Sequence, residues 1–142
     1  MTTKDIRNEI IGWKFSRYKA INFTIGMCAL LLYEFVGRPF YRPYIYSNNI
    51  YDFHIADTIG NSLGTIATVF IFISLFSRDS SHGYFLVNVI TVSIVLYEFA
   101  QPLLGKQIDP FDIVATVITG GICFVIYSLL FKSYVASTKE KI

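Results

Sequence analysis

Four carboxylates lie in or beside long apolar segments of the chain: Glu34, Asp57, Glu98 and Asp112. Ionisable side chains are costly in such surroundings and usually mark a functional site. Carboxylates that lie close together at low dielectric cannot all ionise, so one or more of them holds a proton near neutral pH. Such a group suits acid–base chemistry, proton coupling, or the binding of a cationic or hydroxyl-rich headgroup.

The carboxylates belong to a duplication. The segment Leu32–Phe35 (Leu-Tyr-Glu-Phe) recurs 64 positions later as Leu96–Phe99. After each copy comes a loop, and an aspartate then opens the next apolar segment, Asp57 in one half and Asp112 in the other. Because each unit crosses a membrane twice, the two repeats share one orientation. If the repeats pack face to face, all four carboxylates converge near one side of the membrane.

Each carboxylate also has a purely structural interpretation, which the sequence leaves open. Glu34 can pair with Arg38 one turn later, in the acid-before-base order that favours a helix. Asp57 and Asp112 can act as helix-start residues at the positive end of the helix dipole.

Two amides and two glycines support the carboxylates. Gln101 lies on the helix face of Glu98 and is placed to hydrogen-bond to it. Asn61, on the stripe that carries Asp57, is predicted to hydrogen-bond across a helix bundle, while Gly60 and Gly64 form a face for close helix packing.

The segments that carry these residues are long enough to cross a bilayer. Of the 142 residues, 54% are hydrophobic and 15% charged, against roughly 25% charged in soluble domains. Four blocks approach the roughly 20 apolar residues of a spanning helix, at about 20–36, 55–76, 83–104 and 111–131. They are apolar on all sides and lack the short alternating segments of a barrel. The predicted fold is therefore an all-α integral membrane protein with four transmembrane helices in two parallel two-helix repeats.

Three regions follow from this pattern. Residues 1–19 form an amphipathic N-terminal segment, predicted to be a short interfacial helix. Residues 20–131 form the transmembrane domain, with repeat 1 at about 20–76 and repeat 2 at about 83–131, and residues 132–142 form a tail.

The basic residues predict the orientation. Nine of them flank the side that carries both termini, whereas the opposite side has only Arg38, Arg42 and Lys106. The positive-inside rule makes the first side cytoplasmic. The net charge of +2 thus reflects topology, and we expect no nucleic-acid partner.

Several classes of site are not expected. Cys28 and Cys123 lie in mid-block, and His54 and His82 are isolated near opposite membrane faces. No phosphate loop, nucleophile elbow or zinc-helix motif is present in the sequence. We therefore expect no metal and no cofactor, and the sequence weighs against an enzyme.

The second half of the chain resembles a known family. Tyr97–Gln101 (Tyr-Glu-Phe-Ala-Gln), followed by a polar loop and Asp109–Thr116 (Asp-Pro-Phe-Asp-Ile-Val-Ala-Thr), resembles the signature of the VanZ-like bacterial membrane proteins. That family shows a glutamate with a glutamine three residues on, a loop, and an aspartate-rich entry to a last helix that contains asparagine and glycine. The first repeat matches the last part better, through Asp57, Asn61 and Gly64.

The resemblance covers roughly residues 33–131, with departures in the second repeat. Thr116 replaces the asparagine, Thr119 stands at the glycine place, and Lys106 is the nearest basic residue to a loop where the family often has arginine. The resemblance implies a multi-pass protein of the bacterial cytoplasmic membrane. The family is named for a member that lowers susceptibility to the glycopeptide teicoplanin, and the resemblance supplies no mechanism. The resemblance implies Glu98, Gln101, Asp109 and Asp112 as site residues. Their counterparts in the first repeat are Glu34, Asp57 and Asn61, and Arg38 is added as the partner of Glu34.

Three functions remain open at this stage. The leading one is an outward-facing acidic site that binds a lipid-linked envelope precursor or a lipid headgroup, covered by the aromatic-rich loop predicted at 37–54. The second is an immunity or accessory protein that binds a toxin or a larger complex. The third is a proton-coupled carrier or intramembrane enzyme. The sequence leaves a protein partner and a homo-oligomer open.

Overall fold

A computed structural model of the chain describes residues 16–77 and 80–139, with side chains over 16–77 and 82–132. Every regular element in this part is helical, with α-helices at Arg17–Leu32 (α1), Arg42–Ser47 (α2), Ile55–Phe76 (α3), Ser80–Ala100 (α4) and Pro110–Lys139 (α5). A π-helical segment joins α1 to α2, and a 3-10 turn follows α4. Four stretches are long and apolar enough to cross a membrane, at Arg17–Ser47, Ile55–Phe76, His82–Leu104 and Pro110–Lys132. The predicted all-helical fold, with four helical stretches long and apolar enough to span a membrane, is therefore confirmed over the described residues.

The first spanning helix is longer than predicted. A loop was expected from Gly37, but the chain stays helical through the π-helical segment Tyr33–Tyr41 and through α2 as far as Ser47. Pro39 lies within the π-helical segment. In an α-helix its ring would clash with the carbonyl four residues back, and the wider i→i+5 bonding pattern accommodates it. The continuous stretch of 31 residues is about 46 Å long at 1.5 Å per residue, well beyond the hydrocarbon thickness.

Helix α3 is the centre of the bundle, since α1, α4 and α5 all pack against it. Gly26 makes the closest approach of α1 to α3, because a Cβ there would lie 2.7 Å from Ile71 Cγ1. Gly60 of α3 likewise lies under the Tyr33 ring, whereas a Cβ on Gly64 would meet nothing within 4 Å. The predicted close-packing role is thus confirmed for Gly60 and wrong for Gly64.

The apolar core lies between α3, α4 and α5. Its buried members are Val69, Phe70, Ile73, Val87, Ile90, Cys123 and Tyr127. Of the two cysteines, Cys123 is fully buried in this core and Cys28 of α1 is exposed. Beyond the core, at the end of the bundle where α1 begins, the rings of Tyr18 and Tyr84 meet Tyr127 edge to face. We refer to this end as the tyrosine end and to the opposite end, where α3 begins, as the acidic end.

Polar side chains in mid-helix mostly bond within their own helix. Thr24, Thr65, Thr68, Thr91 and Ser93 each donate to the carbonyl four residues back, at 2.7–2.9 Å. Such bonds satisfy a hydroxyl in surroundings that supply no water.

Part of the predicted organisation lies beyond these observations. The predicted interfacial helix falls largely on residues 1–15, outside the described part of the chain. Within each predicted repeat the two spanning helices are neighbours, α1 with α3 and α4 with α5. The two-fold relationship between the repeats stays a prediction.

Candidate acidic site

Glu98 is the most deeply buried carboxylate of the acidic end. It lies in the last turn of α4 with only 3% of its surface exposed. Asn61 Nδ2 of α3 donates to Glu98 Oε1 at 3.3 Å, and Gln101 Nε2 donates to Oε2. Gln101 reaches the carboxylate because the chain tightens into the 3-10 turn Gln101–Leu104 directly after α4. Both hydrogen bonds predicted for these amides are confirmed.

Asp112 approaches the same amide from α5. It lies half-buried in the first turn of that helix, and its carboxyl interacts with the Asn61 side chain and with the charge of Asp109. Glu98 in turn lies near enough to feel the charges of Asp112 and Asp109. We call Asn61, Glu98, Gln101, Asp109 and Asp112 the acidic cluster. One of its inner carboxylates, Glu98, accepts from the Asn61 amide, and the other, Asp112, lies near enough for the same amide to act on it.

Asp109 also shapes the entry to α5. Its Oδ1 accepts the backbone N–H of Phe111 at 2.9 Å. A carboxylate at this place satisfies one of the free N–H groups of a helix start. Asp109 is therefore held by the helix that carries Asp112.

Asp57 lies at the rim of the cluster, in the first turn of α3. The Tyr46 hydroxyl donates to its Oδ1 at 2.5 Å, and His54 Nδ1 lies 3.1 Å from its Oδ2. Arg42 Nη2 donates to the same Tyr46 hydroxyl at 3.3 Å. The negative charge of Asp57 also acts on Asp112. The rim therefore contributes to the electrostatic field of the acidic cluster.

The loop before α3 is held against the cluster. Phe53 and His54 both adopt left-handed backbone conformations, with φ of 58° and 63°, which cost energy in non-glycine residues. The His54 ring stacks on Phe111 of α5 with centroids 4.2 Å apart. Asp52 accepts the Ala56 N–H at 2.7 Å and the Tyr41 hydroxyl at 3.0 Å. The helix-start contact of α3 is thus made by Asp52, and both oxygens of Asp57 bind side chains.

Glu34 is not brought to the acidic cluster. It lies on the exposed side of the π-helical segment, and its one described ion pair is with Arg38, 3.5 Å away. The two side chains are 45% and 68% exposed. The structural interpretation of Glu34 is therefore confirmed, and the two copies of Leu-Tyr-Glu-Phe have different surroundings.

Thr116 adds a buried polar atom next to the cluster. It lies one turn beyond Asp112 on α5, at the place that Asn61 occupies in the first repeat, and is fully buried. Its hydroxyl has no hydrogen-bond partner among the described residues. Buried polar atoms are nearly always paired, so this hydroxyl marks a place for a bound polar group or a water.

Sequence reasoning missed three residues of the rim. The sequence predicts an aromatic loop around Tyr46, shows His54 as an isolated histidine, and gives Arg42 a role only in the topology. The available signal was spacing, since His54 precedes Asp57 by three residues, which places both on one helical turn. The pairing of Tyr46 with Asp57 requires α2 to fold back on α3, which no local pattern indicates.

The chemistry available at this end is that of oxygen acceptors and amide donors. Among the described residues, no three His, Cys, Asp or Glu side chains are arranged to hold a metal ion. Arg42 is the basic side chain nearest the rim, while carboxylates dominate the interior. Such a site suits a partner that brings positive charge or several hydroxyl groups.

No family model, no curated protein and no solved structure matches the chain.

Proposed function

We propose that this multi-pass membrane protein binds the cationic or hydroxyl-rich headgroup of a cell-envelope molecule at its acidic cluster. The observation that carries the proposal is the state of Glu98. It is 3% exposed and its described hydrogen-bond donors are two neutral amides. A buried carboxylate without a paired charge is costly. A ligand that supplies a positive charge or a hydroxyl donor removes that cost.

Other residues of the acidic end have fitting roles. Asp112 provides a second acceptor beside Glu98, and the Thr116 hydroxyl, which has no partner in the described part of the chain, provides a third polar contact. Asp57, fixed by Tyr46 and His54, holds the rim at which a headgroup enters. A lipid-linked precursor or a lipid headgroup meets these requirements, because its apolar chain remains in the bilayer while its polar part reaches the cluster.

The orientation belongs to the proposal. Among the described residues, Arg38, Arg42 and Lys106 are the basic side chains near the acidic end, whereas Arg17, Lys19 and Lys132 lie toward the tyrosine end, and the sequence predicts the same side for the other six. The positive-inside rule therefore places the acidic cluster outside and both termini in the cytoplasm. Together with the resemblance to VanZ-like proteins, this places the protein in a bacterial cytoplasmic membrane, with an effect on glycopeptide susceptibility as part of the same proposal.

Mass spectrometry of protein gently extracted from its host membrane tests the proposal. Wild type is compared with Glu98→Gln and Asp112→Asn, and Glu34→Gln is the matched control, since it changes the same residue of the repeat outside the cluster. We expect an envelope lipid or lipid-linked molecule to copurify with wild type and the control and to be depleted at least tenfold in both cluster variants. Equal retention in all four folded proteins would refute a ligand site at the cluster.

A protein-binding function is the second candidate, because apolar side chains project at the acidic end. Tyr51 is 73% exposed, Phe53 78% and Leu103 88%. In that case the protein is an immunity or accessory factor whose partner covers these side chains. Tyr51→Ser together with Phe53→Ser would then release a copurifying protein that Glu98→Gln retains. Unchanged copurification of every protein with the Tyr51→Ser, Phe53→Ser variant would decide against it.

A further inference from the structure

A groove opens between α4 and α5, away from the acidic cluster. Its volume is about 410 Å³, and Asn88, Val92, Val117, Gly121 and Phe124 are among the residues that line it. All five residues are exposed. Thr91 and Gly120 close its floor, where the Thr91 side chain occupies the space that a Cβ on Gly120 would need. No other helix of the described chain covers this face, since α1 packs along α3.

In a bilayer crossed by His82–Leu104, the groove lies within the depth of the hydrocarbon. The span of α4 runs from His82 to Leu104, and Asn88 is six residues, or about 9 Å, along it. Val92 is about 15 Å along, near the middle of a core roughly 30 Å thick. The lining of the groove therefore faces lipid or another protein in place of water.

Asn88 is poorly suited to a lipid neighbour. Its Nδ2 donates to the Tyr84 carbonyl at 2.9 Å, whereas its Oδ1 accepts no hydrogen bond from the described residues. An asparagine amide has two donor hydrogens and a carbonyl with two lone pairs, so one N–H and the oxygen are left for a partner. Acyl chains supply neither donor nor acceptor, and an unsatisfied polar group in hydrocarbon is costly.

A second copy of the chain supplies both a hydrogen-bond donor and an acceptor for the Asn88 amide. Across a two-fold axis, one Asn88 amide can donate to the other and accept from it, because the amide is complementary to itself. Two-fold contacts between identical surfaces are the commonest form of protein dimer. The groove also permits close approach, since a Cβ on Gly121 would meet nothing within 4 Å, and small residues at such a face favour helix association.

We propose that the protein forms a two-fold dimer through the α4–α5 groove, with the Asn88 amides of the two copies hydrogen-bonded to each other. This interface is independent of the acidic cluster. Each copy keeps its own cluster, and the dimer carries two sites at the same end of the assembly.

Disulfide cross-linking in native membranes tests the interface. In a Cys28→Ser background, with Cys123 buried, we expect Val92→Cys to form a covalent dimer on mild oxidation. Leu31→Cys is the control, because Leu31 is also an exposed mid-membrane residue, on α1, 46% exposed. Equal cross-linking at the two positions would overturn the proposal.

Native mass spectrometry in lipid nanodiscs tests the role of the amide. We expect a dimer for wild type and about three- to tenfold weaker dimerisation for Asn88→Ala, the range that hydrogen bonds between membrane helices allow. Unchanged dimerisation of Asn88→Ala would overturn the proposal. A wild-type protein that is monomeric and retains a lipid would also overturn it. The second of these results would assign the groove to an acyl chain.

Discussion

Asn61 of α3 donates a hydrogen bond to Glu98 of α4, with 3.3 Å between Nδ2 and Oε1. This contact joins the two halves of the chain at the acidic end. Asp112 of α5 lies near enough for the same amide to act on its carboxyl, so polar side chains of three helices come together here.

The Asn61–Glu98 contact is expected to contribute about 1 kcal/mol to stability, within the range measured for polar pairs between membrane helices. A double-mutant cycle of Asn61→Ala and Glu98→Ala, followed by unfolding in mixed micelles of increasing SDS, measures this coupling because each substitution removes the hydrogen bond. Additive effects of the two substitutions would show that Glu98 is held by Gln101 alone.

The Tyr46 hydroxyl is expected to stabilise the loop that carries the rim. Tyr46→Phe removes the 2.5 Å bond to Asp57 and the acceptor of Arg42, so we expect a loss of about 1–2 kcal/mol. Tyr44→Phe is the matched control, because Tyr44 is 60% exposed and its hydroxyl has no hydrogen bond to any described residue. Equal unfolding midpoints for the two variants would contradict this role.

Two adjacent glycines are expected to respond differently to a methyl group. A Cβ on Gly120 would overlap the Thr91 side chain, whereas one on Gly121 would meet nothing within 4 Å. We expect Gly120→Ala to destabilise the bundle by about 1–3 kcal/mol and Gly121→Ala to change monomer stability by less than about 0.5 kcal/mol. SDS unfolding of the monomeric protein compares the pair, and the reverse order would show that α4 and α5 are packed differently.

The orientation of the bundle can be tested by labelling. In a protein without Cys28 and Cys123, we expect Tyr51→Cys to react with a membrane-impermeant maleimide on intact cells. Lys132→Cys, exposed at the other end, should react only after the cells are opened. The opposite pattern would place the acidic cluster in the cytoplasm and remove the envelope from the proposed function.

The spanning helices were largely predictable because length and hydropathy determine them. The second block was placed at 55–76, and α3 covers Ile55–Phe76. The hydrogen bonds of Asn61 and Gln101 were also predictable, because buried amides and carboxylates in a bilayer must find each other.

The course of the chain after Glu34 was not predictable in the same way. Gly37 and Pro39 ordinarily end a helix, and here packing against α3 and the i→i+5 pattern carry the helix on to Ser47. That extension brings Tyr46 to Asp57. The outward position of Glu34 was equally hidden, because an identical tetrapeptide around Glu98 lies against other helices.

The Asn61–Glu98 hydrogen bond also bears on how the chain enters the membrane during synthesis. Helix α3 precedes α4, so the amide is already in the bilayer when the carboxyl arrives. A glutamate that enters the bilayer alone meets an insertion penalty of a few kcal/mol. The Thr and Ser hydroxyls avoid a similar cost because each donates to a carbonyl of its own helix. The chain order thus places a hydrogen-bond donor in the bilayer before Glu98 arrives, and a permuted chain in which α4 is made before α3 would lose that advantage.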